Sequence, residues 1–228
     1  MVKGPHQGQP VRTTGVPLSE ARGAMVMMHG RGATADSILM LTSALNVPDF
    51  AYLAPQAGGN SWWPQSFLAP IPSNEPGISS AMQAVEDVLV RVAAAGVPPE
   101  HTVLLGFSQG ACLAVEFAAR HARQYGGVAG LSGGLIGPDG TPRNYAGSLE
   151  GTPVFLGCSD SDSHIPADRV RLTADVLRRL GGDVTMRLYP GMGHTINDDE
   201  LAAVRTIMEL PRQPPTVWSG APPPAEPA

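Results

Sequence analysis

Apolar and polar positions fall into blocks of two kinds along the chain. Short unbroken apolar runs at residues 24–28 (AMVMM), 50–54, 102–107 (TVLLGF), 127–131 and 153–157 have the length and content of strands buried on both faces. Residues 183–189 make one more strand. Between these runs stand longer stretches with apolar residues three or four apart. In residues 79–95, Met82, Val85, Leu89 and Val92 share one helical face, and Gly96 follows as a helix-ending glycine. Residues 34–45, 109–122, 167–180 and 198–209 are the other predicted helices. Strand and helix alternate, which predicts an α/β fold: a mostly parallel sheet flanked by helices on both faces. Residues 11–14 add an expected antiparallel edge strand. No internal repeat interrupts the pattern.

Composition narrows what such a fold does. Only 15% of residues are charged and the formal net charge is −5, so there is no basic footprint for nucleic acid or for an anionic membrane surface. No apolar run approaches the length of a membrane span, and the first residues lack the apolar core of a signal peptide. Neither stable membrane insertion nor a nucleic-acid partner is expected. Cys112 and Cys158 do not make a disulfide framework in 228 residues, and no cysteine–histidine pattern has zinc-site spacing. The expectation is a cytoplasmic protein with reduced thiols and no metal. Residues 1–211 read as a single domain. Residues 212–228 are rich in proline and read as a tail outside it.

Candidate chemistry comes from a pentapeptide that occurs twice. Gly-x-Ser-x-Gly places a serine on a strained turn from strand to helix. It is present as Gly106-Phe107-Ser108-Gln109-Gly110 and as Gly130-Leu131-Ser132-Gly133-Gly134. A predicted strand precedes each serine, but a helical segment follows only Ser108; after Ser132 comes GGLIGPDGTP, which cannot be helical. Ser108 is therefore the expected nucleophile, and Ser132 a strand-ending loop residue. A serine hydroxyl needs a base, and the base needs a carboxylate to orient it. His194 follows a predicted strand in YPGMGHTI, where a loop presents it at the carboxyl edge of the sheet. His121 falls in the helix after Ser108, and His164 lies close enough to the expected acid to form a wall of the site. The acid follows the 153–157 strand, where Asp160 and Asp162 are both candidates. Either aspartate could instead order its loop or cap the next helix.

Four segments, HGRGA at 29–33, GFSQGA at 106–111, SDSDSHIP at 159–166 and GMGHTI at 191–196, resemble the carboxylesterase/lysophospholipase family of α/β-hydrolases, which includes the acyl-protein thioesterases. The resemblance covers about residues 20–210 and implies the α/β-hydrolase fold. Residues 133–151 are too short to hold a large helical cap. The family's D-x-x-[VI]-P pattern falls on Asp162-Ser163-His164-Ile165-Pro166, which favours Asp162 over Asp160; Ser163 replaces a common proline. The backbone N–H groups of Arg31 and Gln109 fall at the family's oxyanion hole. The Arg31 side chain either stands at the mouth of the site or points to solvent. The family's substrate loop falls on residues 60–68, so Trp62, Trp63 and Phe67 are candidate pocket residues, or else an aromatic plug that fastens the loop. Met192, beside the base, is a further candidate for the pocket. The implied activity is a serine carboxylesterase acting on small-molecule, short-chain esters without a cofactor. The alternative is an acyl-protein thioesterase or lysophospholipase acting on longer chains. A homodimer stays open.

Overall fold

The computed structural model describes residues 4–210. Its strands are β1 (Val11–Gly15), β2 (Gly23–Met28), β3 (Phe50–Pro55), β4 (Thr102–Phe107), β5 (Gly127–Leu131), β6 (Pro153–Ser159) and β7 (Asp183–Tyr189). They form one sheet in the order β1-β3-β2-β4-β5-β6-β7. All neighbours are parallel except β1 and β3, which run antiparallel with Val11 opposite Pro55. The expected tail at 212–228 and the domain limit at 211 lie outside the described residues. Among the described residues no helix is long and apolar enough to cross a membrane.

Every residue of β2 is buried, and its side chains alternate between two cores because successive residues of a strand point to opposite faces. Ala24, Val26 and Met28 join the core under α3 (Gly77–Ala94), α4 (Gln109–Arg120) and α5 (Ala167–Arg179). Met25 and Met27 join the core under α1 (Ala35–Leu39), α2 (Leu41–Leu45) and α6 (Asp198–Glu209). A strand covered on both faces cannot show polar alternation, which is why the central strands read as continuous apolar runs.

Two predicted helices differ in detail. The one expected at 34–45 is two short helices meeting at the exposed Met40. The hydroxyls of Thr42 and Ser43 donate to the carbonyls of Leu39 (2.7 Å) and Met40 (2.8 Å), competing with the regular helical bonds. The helix expected to reach residue 122 stops at Arg120, where His121 turns its backbone N–H (2.9 Å) and ring Nδ1 (3.2 Å) onto the Phe117 carbonyl. Residues 132–152, between β5 and β6, contain no helix.

That irregular segment is anchored to α4 by Glu116, which is 1% exposed. One carboxylate oxygen accepts from Arg120 Nε (2.7 Å) and the Tyr145 hydroxyl (3.0 Å). The other accepts from the Ile136 N–H (2.9 Å) and lies 3.5 Å from Arg143 Nη1. A buried carboxylate is tolerable only when its lone pairs are filled in this way.

On the opposite flank of α4, the N-terminal residues and two histidines hold the segment after β3. His6 Nδ1 accepts from the Gly58 N–H (3.0 Å), and its Nε2–H donates to the Trp62 carbonyl (2.8 Å). His29 Nε2 accepts from the Ala57 N–H (3.1 Å), and its Nδ1–H donates to the Gly30 carbonyl (2.7 Å). The Trp62 ring lies 5.3 Å from the His6 ring and 5.1 Å from the His29 ring, and its Nε1–H donates to the His29 carbonyl (2.8 Å). A backbone N–H aims at one nitrogen of each imidazole, so each ring must keep that nitrogen bare. Burial likewise pushes both pKa values below 6.5.

Two outcomes follow from these anchors. Glu116→Ala leaves Arg143 buried without its counter-charge and should cost about 3 kcal/mol; urea unfolding should show a lower midpoint with little change in slope. The histidines set a pH dependence of stability. Unfolded, each takes up a proton near pH 6.5; folded, it resists until a lower pH. The unfolded state therefore binds more protons in the window below 6.5, and stability falls as pH drops through it. Urea midpoints should decline from pH 7 to pH 5.5, and His6→Gln should flatten that decline. Parallel profiles for the two proteins would show that His6 does not carry the effect.

Candidate active site

Ser108 sits between β4 and α4 with φ 57° and ψ −120°, a conformation that costs a non-glycine residue roughly 1–3 kcal/mol. The flanking glycines make the turn sterically possible. A Cβ on Gly106 would strike the Gly110 carbonyl, and one on Gly110 would strike the backbone of Met28 and His29. The Ser108 N–H donates to the Leu131 carbonyl (3.0 Å), and its carbonyl accepts from the Cys112 N–H (3.0 Å). Ser132 also has a positive φ, 54°. It is fully buried, however, its N–H is tied to the Gly157 carbonyl (2.7 Å), and no helix follows it.

The structure brings Ser108, His194 and Asp162 together. His194 Nε2 lies 2.8 Å from Ser108 Oγ, and Nδ1 lies 2.7 Å from Asp162 Oδ2. With Nδ1–H donating to the carboxylate, Nε2 is free to accept the serine proton. Asp162 Oδ1 accepts from the N–H groups of His164 (2.8 Å) and Ile165 (3.1 Å). Burial alone would raise the Asp162 pKa; the bonds from His194 and these two amides outweigh it and hold the carboxyl below its usual value. The loop-ordering and base-orienting readings of this aspartate are thus fulfilled by different oxygens of one carboxylate. Asp160 does not reach His194; it accepts from the Gly191 N–H (3.0 Å). Ser159 Oγ accepts from the Gly193 N–H (3.1 Å), so residues 159 and 160 together seat the loop that carries the histidine. Cys158 is buried, its pKa pushed up to about 12, and its thiol lies 3.8 Å from Asp162 Oδ2.

Gly30 packs on the nucleophile: a Cβ there would sit 3.4 Å from Ser108 Cβ. This places the Gly30–Arg31 peptide beside the reacting serine. The Arg31 N–H and the Gln109 N–H, at the front of α4, donate to no protein acceptor among the described residues. Both are thereby available to an oxyanion. The Gln109 side chain has a second task that sequence reasoning missed. Its Oε1 accepts from the Trp62 N–H (2.9 Å), and its Nε2 donates to the Trp63 carbonyl (2.9 Å). A polar amide at the buried start of α4, followed by small and apolar residues, was the available signal.

A cavity of about 470 Å³ opens at Ser108, with Arg31, Trp63, Phe67, Cys112, His164 and His194 among its lining residues. His164 stands edge-on to His194, ring centres 4.8 Å apart, and is the wall residue expected. Cys112 is buried with its pKa raised to about 12. Of the four expected pocket residues, Trp63 and Phe67 line the cavity and two do not. Trp62 is 0% exposed, held between His6 and His29; it is the plug that fastens the loop. Met192 turns its sulfur to Asn197 Nδ2 (2.8 Å) and packs outside the cavity. Arg31 is exposed, but its guanidinium is tied to the neighbouring loop rather than free in solvent. It donates from Nη1 to Ser61 Oγ (3.2 Å) and the Pro64 carbonyl (2.8 Å), and from Nη2 to the Gln65 carbonyl (2.5 Å). Asn74 completes the clamp, accepting from the Gln65 N–H and donating to the Ser66 carbonyl, both at 2.8 Å.

A solved structure described as a phospholipase/carboxylesterase from Dyadobacter fermentans is 41% identical and superposes with a TM-score of 0.85, covering 88% of this chain and 96% of that one. A probable carboxylesterase of Oryza sativa subsp. japonica is 22% identical over 89% of this chain and 84% of its own length. An acyl-protein thioesterase 1 of Gibberella zeae is 30% identical over 58% of this chain, and the match spans 57% of that protein. The profile of the Phospholipase/Carboxylesterase family matches residues 13–210, and the chain belongs to that family.

Proposed function

We propose that the chain is a serine carboxylesterase that hydrolyses short-chain carboxylic esters through an acyl-serine intermediate. One observation carries this reading: Ser108 Oγ, both ring nitrogens of His194 and Asp162 Oδ2 lie in a single run of hydrogen bonds of 2.8 and 2.7 Å. Ser108 Oγ attacks the ester carbonyl carbon as His194 Nε2 takes its proton. The carbonyl oxygen becomes an oxyanion, held by the N–H groups of Arg31 and Gln109; losing one such donor typically costs about 3–4 kcal/mol of barrier. The C–O bond to the alcohol then breaks, and the alcohol leaves with the proton from His194. Water repeats the sequence on the acyl-serine, releasing the acid and restoring the Ser108 hydroxyl. Asp162 holds the imidazole in the required tautomer and stabilises its cation. A cytoplasmic location belongs to the same reading and is supported by two free, buried thiols.

Preference for short chains is supported by the site's surroundings. No helix covers the cavity from residues 132–152, and Trp63 and Phe67 stand in its wall. A methylene adds about 0.8 kcal/mol only when it is buried, and an open cavity of this size buries few. The second reading, hydrolysis of long acyl thioesters or lysophospholipids, is supported by the thioesterase relative.

A series of p-nitrophenyl esters separates the two. The expected kcat/KM peaks at acyl lengths of about C2 to C6 and falls steeply by C12, since added methylenes remain in water. A steady rise to palmitoyl substrates would favour the second reading instead. In the same assay Ser108→Ala should lose at least about a thousandfold in kcat, while Ser132→Ala keeps most of the activity. The reverse outcome would move the nucleophile to Ser132.

A further inference from the structure

The mouth of the cavity carries a positive charge, the exposed guanidinium of Arg31, with no carboxylate paired to it among the described residues. Among the described residues no carboxylate lines the cavity. Arg31 has no acidic partner within ion-pair distance, although eight other arginines do. Its three acceptors, Ser61 Oγ and the carbonyls of Pro64 and Gln65, are all neutral. They fix the guanidinium in place without cancelling its charge, and they leave its Nε–H and one Nη2–H without an acceptor among the described residues. Holding a rotamer-rich side chain in one geometry is the ordering step that a binding group otherwise has to undergo on meeting its ligand. Trp63 and Phe67 stand in the same wall and supply apolar surface beside the guanidinium. The Arg31 side chain runs from the peptide beside Ser108 to the loop at residues 61–65. Its charged end and Ser108 therefore border the same cavity, which a short dicarboxylic chain can bridge.

We propose that the site takes small esters carrying a second, ionised carboxylate, and that the Arg31 guanidinium forms the subsite for it. This rests on the esterase reading for turnover, but not for binding. A carboxylate there receives charge-assisted hydrogen bonds from a planar donor already in position. The hydrolysed bond is the ester at Ser108, by the steps given above; the second carboxylate is bound and unchanged, and the product is a dicarboxylate with the free alcohol.

The test compares monoethyl glutarate with ethyl 5-methylhexanoate, in which an isopropyl group replaces the carboxylate at nearly the same shape. Binding of each to the Ser108→Ala protein is measured by calorimetry. Monoethyl glutarate should bind about tenfold tighter, the advantage should shrink as salt is raised, and Arg31→Gln in the Ser108→Ala background should abolish it. For turnover, the readout is the ratio of kcat/KM for the two esters. Loosening of the loop in Arg31→Gln slows both esters alike, whereas loss of the subsite lowers the ratio about tenfold; Arg31→Lys should keep part of it. Equal binding of the two ligands, or a ratio unchanged by Arg31→Gln, would overturn the proposal and leave the esterase standing. A binding preference without hydrolysis of either ester would do the opposite.

Discussion

The whole site depends on how closely the first turn of α4 approaches the end of β2. Gly110 rests against the backbone of Met28 and His29 with no space for a Cβ, and Gly106 meets the Gly110 carbonyl in the same way. That approach forces Ser108 into its strained conformation, lifts its hydroxyl out of the strand-to-helix turn and brings the 30–31 peptide beside it. The strain is sustained by the surrounding core, since β2 and β4 are buried and the first eleven residues of α4 are buried with them. A local cost of a few kcal/mol is tolerable only on elements this well packed.

Around that fixed point, polar side chains place the loops of the site. Ser159 and Asp160 seat the His194 loop through backbone N–H groups, while Asp162 divides its two oxygens between its own loop and the histidine. Gln109 supplies a backbone N–H at the front of α4 and uses its side chain to hold Trp62 and Trp63. Arg31 is built on the same plan, with its peptide beside the serine and its guanidinium on residues 61–65. The cavity wall and the two backbone N–H groups proposed for the oxyanion thus share two residues. A change at either position alters both, so kinetic effects there need a ratio between substrates before they can be assigned.

The sheet was legible because its central strands are buried on both faces and leave long apolar runs, and because glycine marks both sides of the nucleophile turn. Helix ends were less legible: the break at Met40 comes from the Thr42 and Ser43 hydroxyls bonding backward, which apolar periodicity does not register. In the site, Ser108, His194 and Asp162 could be named from strand context, chain order and family pattern, and the structure sets them within hydrogen-bond distance. Trp62 could not be placed correctly. Two adjacent tryptophans look alike in sequence, and what separates them is His6, whose partner carbonyl lies 56 residues away. Met192 escaped for a different reason: Asn197, five residues on, takes its sulfur, a local contact that apolar pattern does not register. Side-chain roles settled by a distant partner are invisible to a reading built on local pattern.

The strained turn, with His194 and Asp162 behind it, sets Ser108 apart as a nucleophile from the other described serines. Mapping of a fluorophosphonate adduct by peptide mass spectrometry tests this most directly, because labelling needs no knowledge of the substrate. A single adduct is expected on the peptide bearing Ser108, formed far more slowly when Asp162 is replaced by asparagine. An adduct on Ser132, or labelling that is indifferent to Asp162, would contradict it.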